Sequence, residues 1–288
     1  MNIDFTPQCD FLIGIDSDGC AFDTMELKQK ECFCPNTIHH WGLKSVSKYA
    51  REAVEFVNLY SKSRGINRFP ALVEVFELLK RRPEVIARGV NVEVPRELVE
   101  WMNRQTKLGN PALEAEVAAT HDPVLTKTLQ WSHAVNETID RIVGEGVAPF
   151  PLVRESLEKL GGKADILVVS ATPQAALVKE WENQGLLPLV QAICGQEIGT
   201  KKESLAWSAK YPANHTLMIG DAPGDYKAAQ ATNSLFYPIN PSREEASWAR
   251  FYQEGIERFL NGTFAGDYQQ SLLEEFESCL PVNPPWEK

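Results

Sequence analysis

The sequence has no long hydrophobic run. None of its apolar stretches approaches the roughly 18 residues that a bilayer-spanning helix needs, which argues against a membrane partner. Basic residues are in short supply: 29 Lys and Arg stand against 39 Asp and Glu, a formal net charge of −10. That deficit disfavours nucleic acid and anionic lipid as partners. The opening MNIDFTPQCD carries acids and no basic segment, so no secretory signal is expected. No G-x-G-x-x-G follows an apolar run, and Gly14 lies inside its run, which argues against dinucleotide binding. Internal repeats and low-complexity segments are absent. The six cysteines, without a signal, read as reduced thiols of a cytoplasmic protein. Cys32-Phe-Cys34 and His39-His40 lack a second pair at zinc-knuckle spacing. They read either as a metal site or, more plainly, as small side chains near a helix with two partly exposed imidazoles.

What is present is a chain of 288 residues with 43% hydrophobic side chains, enough for two domains and a sizeable core. Charge divides unevenly along it. Thr24 to Glu145 holds 17 basic and 16 acidic residues, net +1, and the remainder holds 12 and 23, net −11. The middle reads as helices. Ser45-Val-Ser47 can cap one with the stripe Tyr49, Ala53, Phe56, Val57 and Tyr60, and Gly65 lies just beyond its end. Pro70, Pro95 and Pro111 look like first-turn prolines, and Pro123–Val143 is a long amphipathic stretch.

The flanks alternate short apolar runs with helical patterns. Phe11–Ile15, Ile166–Val169, Thr216–Ile219 and Leu235–Tyr237 fit strands buried on both faces. Thr172-Pro173 opens a helix through Trp181, closed by Gly185, and Lys201–Lys210 reads as a weaker one. Ser242-x-x-Glu245 reads as a capping box, and Tyr268–Leu280 as a final helix that packs on the core. This alternation predicts an α/β fold: a Rossmann-like, doubly wound parallel sheet as the core, with an all-helical domain inserted after the first strand. The core takes residues 1–23 and 146–288, the helical cap residues 24–145. The oligomeric expectation is a monomer or homodimer.

In such sheets ligands bind at the carboxyl ends of the strands. Three run ends carry polar groups: Asp16 with Asp18, Ser170 with Thr172, and Asp221 with Asp225. Together they would gather four carboxylates and two hydroxyls in one crevice. Carboxylates crowded together need a cation among them, and an all-oxygen set suits Mg2+. A phosphate would need a lysine as well, and Lys201-Lys202 stands after the run Val190–Cys194.

Ile15-Asp-Ser-Asp-Gly-Cys-Ala-Phe-Asp23 resembles the first motif, Asp-x-Asp-Gly, of the haloacid dehalogenase (HAD) superfamily. Ser170 after Val168-Val169 matches its second motif, Lys201 in Lys-Lys-Glu-Ser-Leu its third, and Gly220-Asp-Ala-Pro-Gly-Asp225 its fourth. The four stand in the family's order over residues 10–24 and about 147–240, with the helical stretch where the family places a cap. The resemblance implies a Mg2+-dependent phosphomonoester hydrolase acting on a small phosphorylated metabolite. It implies Asp16 as the nucleophile that forms an aspartyl-phosphate and Asp18 as general acid and base. Metal ligation would fall to Asp16, Asp18 through its backbone carbonyl, Asp221 and Asp225, and phosphate binding to Ser170, Ala171 and Lys201. Lys202 is the competing lysine; the Lys-x-Glu-x-Leu register favours Lys201. Dehalogenase members lack the second aspartate, so Asp18 points away from dehalogenation. A phosphomutase uses the same pair and is the alternative enzyme. A noncatalytic domain that binds a phospholigand or a partner is the alternative of another class, although no signature aspartate is missing. Cys20 stands where Thr is common, as tolerated variation or as a thiol open to oxidation beside the nucleophile.

Substrate choice would rest with the cap. Lys62-Ser-Arg64-Gly-Ile-Asn-Arg68 is a basic turn between two helices, so Arg64 and Arg68 are the candidates for holding the leaving group. A solvated interhelical loop is the competing reading. His39, His40 and Trp41 are a second candidate lining.

Overall fold

The computed structural model describes residues 5–144 and 146–287. One all-parallel sheet holds β1 (Phe11–Ile15), β2 (Ala164–Val169), β3 (Ala192–Cys194), β4 (Thr216–Gly220) and β5 (Leu235–Pro238), in the order β3-β2-β1-β4-β5. The strands are apolar runs because both sheet faces are covered. Ile13, Ile15, Ile166, Val168, Leu217 and Ile219 enter one cluster, with Leu177, Trp181 and Trp248 from the helices Gln174–Asn183 and Glu244–Arg250. Leu12, Leu167, Val169 and Met218 enter the other, with Ala229 and Phe276 from the helices Pro223–Ala231 and Asp267–Cys279. Adjacent strand residues thus divide between the clusters, as the two-residue strand period requires. The fold is the doubly wound α/β type. Strand order runs outward from β1 one way and from β4 the other, so the crevice at the switch point opens where β1 and β4 end.

Several local expectations change. Of the run Val190–Cys194 only Ala192–Cys194 is strand, a three-residue edge strand. Lys201–Lys210 divides into a helical turn, Lys201–Ser204, and a 3-10 segment, Leu205–Lys210. Ser242 does not cap a helix. Its φ is +64°, whereas a capping residue has extended backbone, and its N–H donates to Glu244 Oε1 at 2.9 Å. Likewise Val46, without a side-chain cap, precedes the helix Ser47–Leu59.

The chain divides into two compact units. Among the described residues, one comprises residues 5–25 and 146–281 and contains the sheet; the other comprises residues 26–144 and 282–287. The second unit is helical, with Ser47–Leu59, Arg68–Arg81, Arg96–Arg104, Asn110–Thr120 and Pro123–Val143 packed around Phe69, Phe76, Trp101 and Trp131. Its longest helix starts at Pro123 because Asp122 Oδ1 accepts the N–H groups of Val124 and Leu125, both at 2.9 Å. The stretch after Pro281, assigned to the core from sequence, packs with the helical unit instead. There Trp286 meets the edge of Phe56 at 5.7 Å, the Arg82 guanidinium lies 4.3 Å from the Trp286 ring, and Arg81 pairs with Glu287.

Candidate active site

β1 delivers Asp16 to the crevice. The strand ends at Ile15, and the Asp16 N–H is tied to the Ile219 carbonyl of β4 at 3.0 Å. The chain then folds into a tight turn, in which the Ser17 carbonyl accepts from Ala21 at 2.9 Å and from Phe22 at 3.0 Å. Gly19, at φ +76°, supplies the left-handed residue this turn needs. Ser17 points away from the crevice, where Trp181 Nε1 donates to its hydroxyl at 3.0 Å.

β4 delivers Asp221, and the helix after it delivers Asp225. Asp225 accepts the Ala222 N–H at 3.0 Å, which holds the first turn of the helix Pro223–Ala231. Gly220 makes room for it: a Cβ there would lie 2.4 Å from the Asp225 Cβ. The carboxylates of Asp16, Asp221 and Asp225 lie within 4.8 Å of one another, all buried. This is the one grouping with metal-ligand spacing among the described residues. Cys32, Cys34, His39 and His40 form none.

Lys201 completes the cluster. A capping box between Thr200 and Glu203 starts its helical turn. Its Nζ lies 2.6 Å from Asp16 Oδ2 and also pairs with Asp225 Oδ1. Lys202 is exposed. Burial raises the Asp16 carboxyl to about 6, against the opposing pull of Lys201. Burial also raises Asp225, with Asp221 adding to it. Lys201 is raised: burial opposes its charge, but Asp16 and Asp225 outweigh that cost. Three carboxylates against one lysine leave an excess of two negative charges in a dry, all-oxygen setting. That donor set fits a hard divalent cation.

Asp18 differs from the expectation of four carboxylates together. It lies past the end of β1, inside the turn, so strand alternation no longer directs it. Its carboxylate accepts from the Thr24 hydroxyl at one oxygen and from the Thr172 hydroxyl, at 2.8 Å, at the other. Ser170 follows β2, buried, and its hydroxyl accepts the Thr172 N–H at 3.2 Å; Ala171 lies exposed beside it. The Thr24 partnership is invisible in the sequence, since no spacing rule joins the turn to the following helix. Cys20 is fully buried, and burial, with Asp221 and Asp16 close by, pushes its thiol well up. It is held as an inert thiol rather than one open to oxidation.

Arg64 and Arg68 lie in the helical unit. Arg64 is buried and donates to the Leu59 carbonyl at 2.8 Å. Arg68 donates to the Ser132 hydroxyl at 2.9 Å and to Asn136 Oδ1 at 2.8 Å, and lies 5.1 Å from the Phe33 ring centre. The turn between them, Gly65 to Asn67, is exposed, as a solvated interhelical loop would be, while both guanidinium groups are held by partners in the helical unit.

No family model and no curated protein matches the chain. Solved structures similar to it are haloacid dehalogenase-like proteins. A haloacid dehalogenase-like hydrolase from Streptococcus pneumoniae is 11% identical over 84% of this chain and 91% of its own, with a TM-score of 0.49. A HAD-superfamily hydrolase of subfamily IA from Geobacter sulfurreducens is 13% identical over 79% and 86%, with a TM-score of 0.40. The L-2-haloacid dehalogenase from Xanthobacter autotrophicus is 13% identical over 90% and 85%, with a TM-score of 0.39.

Proposed function

We propose that this chain is a HAD-type phosphomonoester hydrolase that uses Mg2+ and an aspartyl-phosphate on Asp16 to act on a small phosphorylated metabolite. One observation carries the reading. Residues far apart in sequence, Asp16, Lys201, Asp221 and Asp225, meet at the switch point of a doubly wound sheet. Asp18, two residues on from Asp16, accepts from the hydroxyls of Thr24 and Thr172.

The side chains divide the work by their surroundings. Asp16 is held by Lys201 and by the Ser17 N–H, which donates to its Oδ1 at 2.8 Å, and this fixes the carboxylate for in-line attack on phosphorus. The P–O bond to the leaving group breaks as the Asp16 O–P bond forms. Asp18 gives the leaving oxygen its proton, then takes one from the water that cleaves the acyl phosphate. Ser170 and Lys201 bind the phosphoryl oxygens, with the backbone at Ala171 beside them, and offset charge that grows in the transition state. Asp16, Asp221 and the backbone carbonyl of Asp18 would hold Mg2+, with Asp225 in support. The ion would supply positive charge to an electron-rich phosphoryl group. The six free thiols accord with a cytoplasmic setting.

The test is hydrolysis of p-nitrophenyl phosphate and of a phosphometabolite panel, with Mg2+, with EDTA, and in Asp16→Asn. Turnover that needs Mg2+ and disappears in Asp16→Asn supports the reading. Turnover that survives EDTA or Asp16→Asn refutes it. Isomerisation of a sugar phosphate without phosphate release would replace hydrolase by mutase.

A further inference from the structure

We propose that Thr172 is a positioning residue for Asp18: its hydroxyl sets the carboxyl plane from which a proton passes to the leaving oxygen. The inference rests on the reading of Asp18 as the acid–base group and goes beyond it, because no motif names Thr172. The two residues are 154 positions apart in sequence, yet Thr172 Oγ1 donates to Asp18 Oδ2 at 2.8 Å. The other oxygen accepts from Thr24. Each carboxyl oxygen therefore has its own hydroxyl partner, which fixes both the position and the tilt of the group.

The chemistry favours hydroxyls here. A lysine partner would bind Asp18 as a permanent carboxylate, as Lys201 binds Asp16 and Asp225. A hydroxyl can donate to the carboxylate and, by turning its O–H, accept from the carboxylic acid. The same contact then serves before and after proton transfer. Thr24 and Thr172 thus hold the acid–base carboxyl, while Lys201 pairs with Asp16 and Asp225.

Thr172 is itself well fixed. Its N–H donates to the Ser170 hydroxyl at 3.2 Å, and its carbonyl accepts from the Gln196 N–H at 3.1 Å. Pro173 follows, which confines Thr172 to extended backbone. The short loop Ser170–Pro173 thus carries a phosphate-binding hydroxyl and the partner of the acid–base carboxyl. It sets the spacing between the phosphoryl group and the proton donor. Thr172 is half-buried, so the hydroxyl is not required to fill a core.

The experiment compares full-length wild type, Thr172→Val, Thr172→Ser and Asp18→Asn, with Mg2+, on two substrates. p-Nitrophenyl phosphate releases a phenolate that leaves without a proton. An alkyl phosphate, such as the wild type's best substrate of that kind, releases an alkoxide that needs one. Misplacing a general acid costs part of its roughly 100-fold or greater contribution. Thr172→Val is therefore expected to lose about tenfold in kcat/KM on the alkyl phosphate and to stay within about twofold of wild type on the aryl one. Thr172→Ser restores the alkyl activity. Wild-type values for Thr172→Val on both substrates overturn the inference. So does an equal loss on both that Thr172→Ser fails to restore, because a merely structural role acts that way. Asp18→Asn separates the two levels. If it keeps full alkyl phosphatase activity, the acid–base reading itself falls. If it is inactive while Thr172→Val matches wild type, only the positioning role of Thr172 falls.

Discussion

Gly220→Ala tests how tightly the carboxylate cluster around Asp225 is built. The added Cβ would lie 2.4 Å from the Asp225 Cβ, 2.5 Å from its Cγ and 2.6 Å from its Oδ2. Asp225 cannot swing aside cheaply, since it is fully buried, accepts the Ala222 N–H and pairs with Lys201. Overpacking of this kind costs about 1–3 kcal/mol. The backbone of Gly220 is not in the left-handed region, so alanine also gains about 0.4–1 kcal/mol by restricting the unfolded chain. The net expectation is a loss of about 1–2 kcal/mol in urea unfolding, with Mg2+ binding weakened as Asp225 is pushed from its place. A double-mutant cycle with Asp225→Gly isolates the cause, because that change removes the atoms in conflict. A coupling of about 1 kcal/mol or more is expected. Coupling near zero, or a Gly220→Ala protein with wild-type stability and Mg2+ affinity, would refute the reasoning.

Two further outcomes follow from the charges and from the tail. Burial raises Asp16 to about 6, so below that pH a proton must leave before a cation binds. Apparent Mg2+ affinity, read by calorimetry, should fall about tenfold per pH unit below about 6 and level off above it; equal affinity at pH 5 and 7.5 would remove Asp16 from the ligand set. Trp286→Ala removes the ring beside Arg82, a contact worth about 1–2 kcal/mol, and should speed amide exchange about 5- to 30-fold in the helix Ser47–Leu59; unchanged exchange would show that the tail adds nothing to the helical unit.

Four strands were legible as apolar runs that end in polar residues, because a parallel sheet covered on both faces leaves little else in its strands. The fifth, β3, takes only the last three residues of the run Val190–Cys194, an edge strand too short to set its own bounds in the sequence. Motif order sufficed to place Asp16, Ser170 and Asp221 at strand ends, with Lys201 and Asp225 on the helical turns that follow β3 and β4. It could not show that the Asp18 carboxylate stands apart from the other three, because that depends on a turn stabilised by backbone hydrogen bonds. Nor could it show what Arg68 binds, for Ser132 and Asn136 lie on a helix more than sixty residues away in the chain. Ser242 illustrates the opposite failure: the side-chain pattern of a cap was present, but the backbone there is left-handed. Short-range chemistry was readable from spacing; partners brought together by the fold were not.

The central place of β1 also bears on how the chain is made. Phe11–Ile15 is made before its sheet neighbours, which begin only at Ala164 and Thr216. At ribosomal speed the wait for the first of them is on the order of ten seconds. The helical unit waits longer still, since Trp286, which joins its aromatic cluster, is made only after the sheet strands. Each unit is interrupted in the chain by a stretch of the other, so neither can close until that stretch has been synthesised.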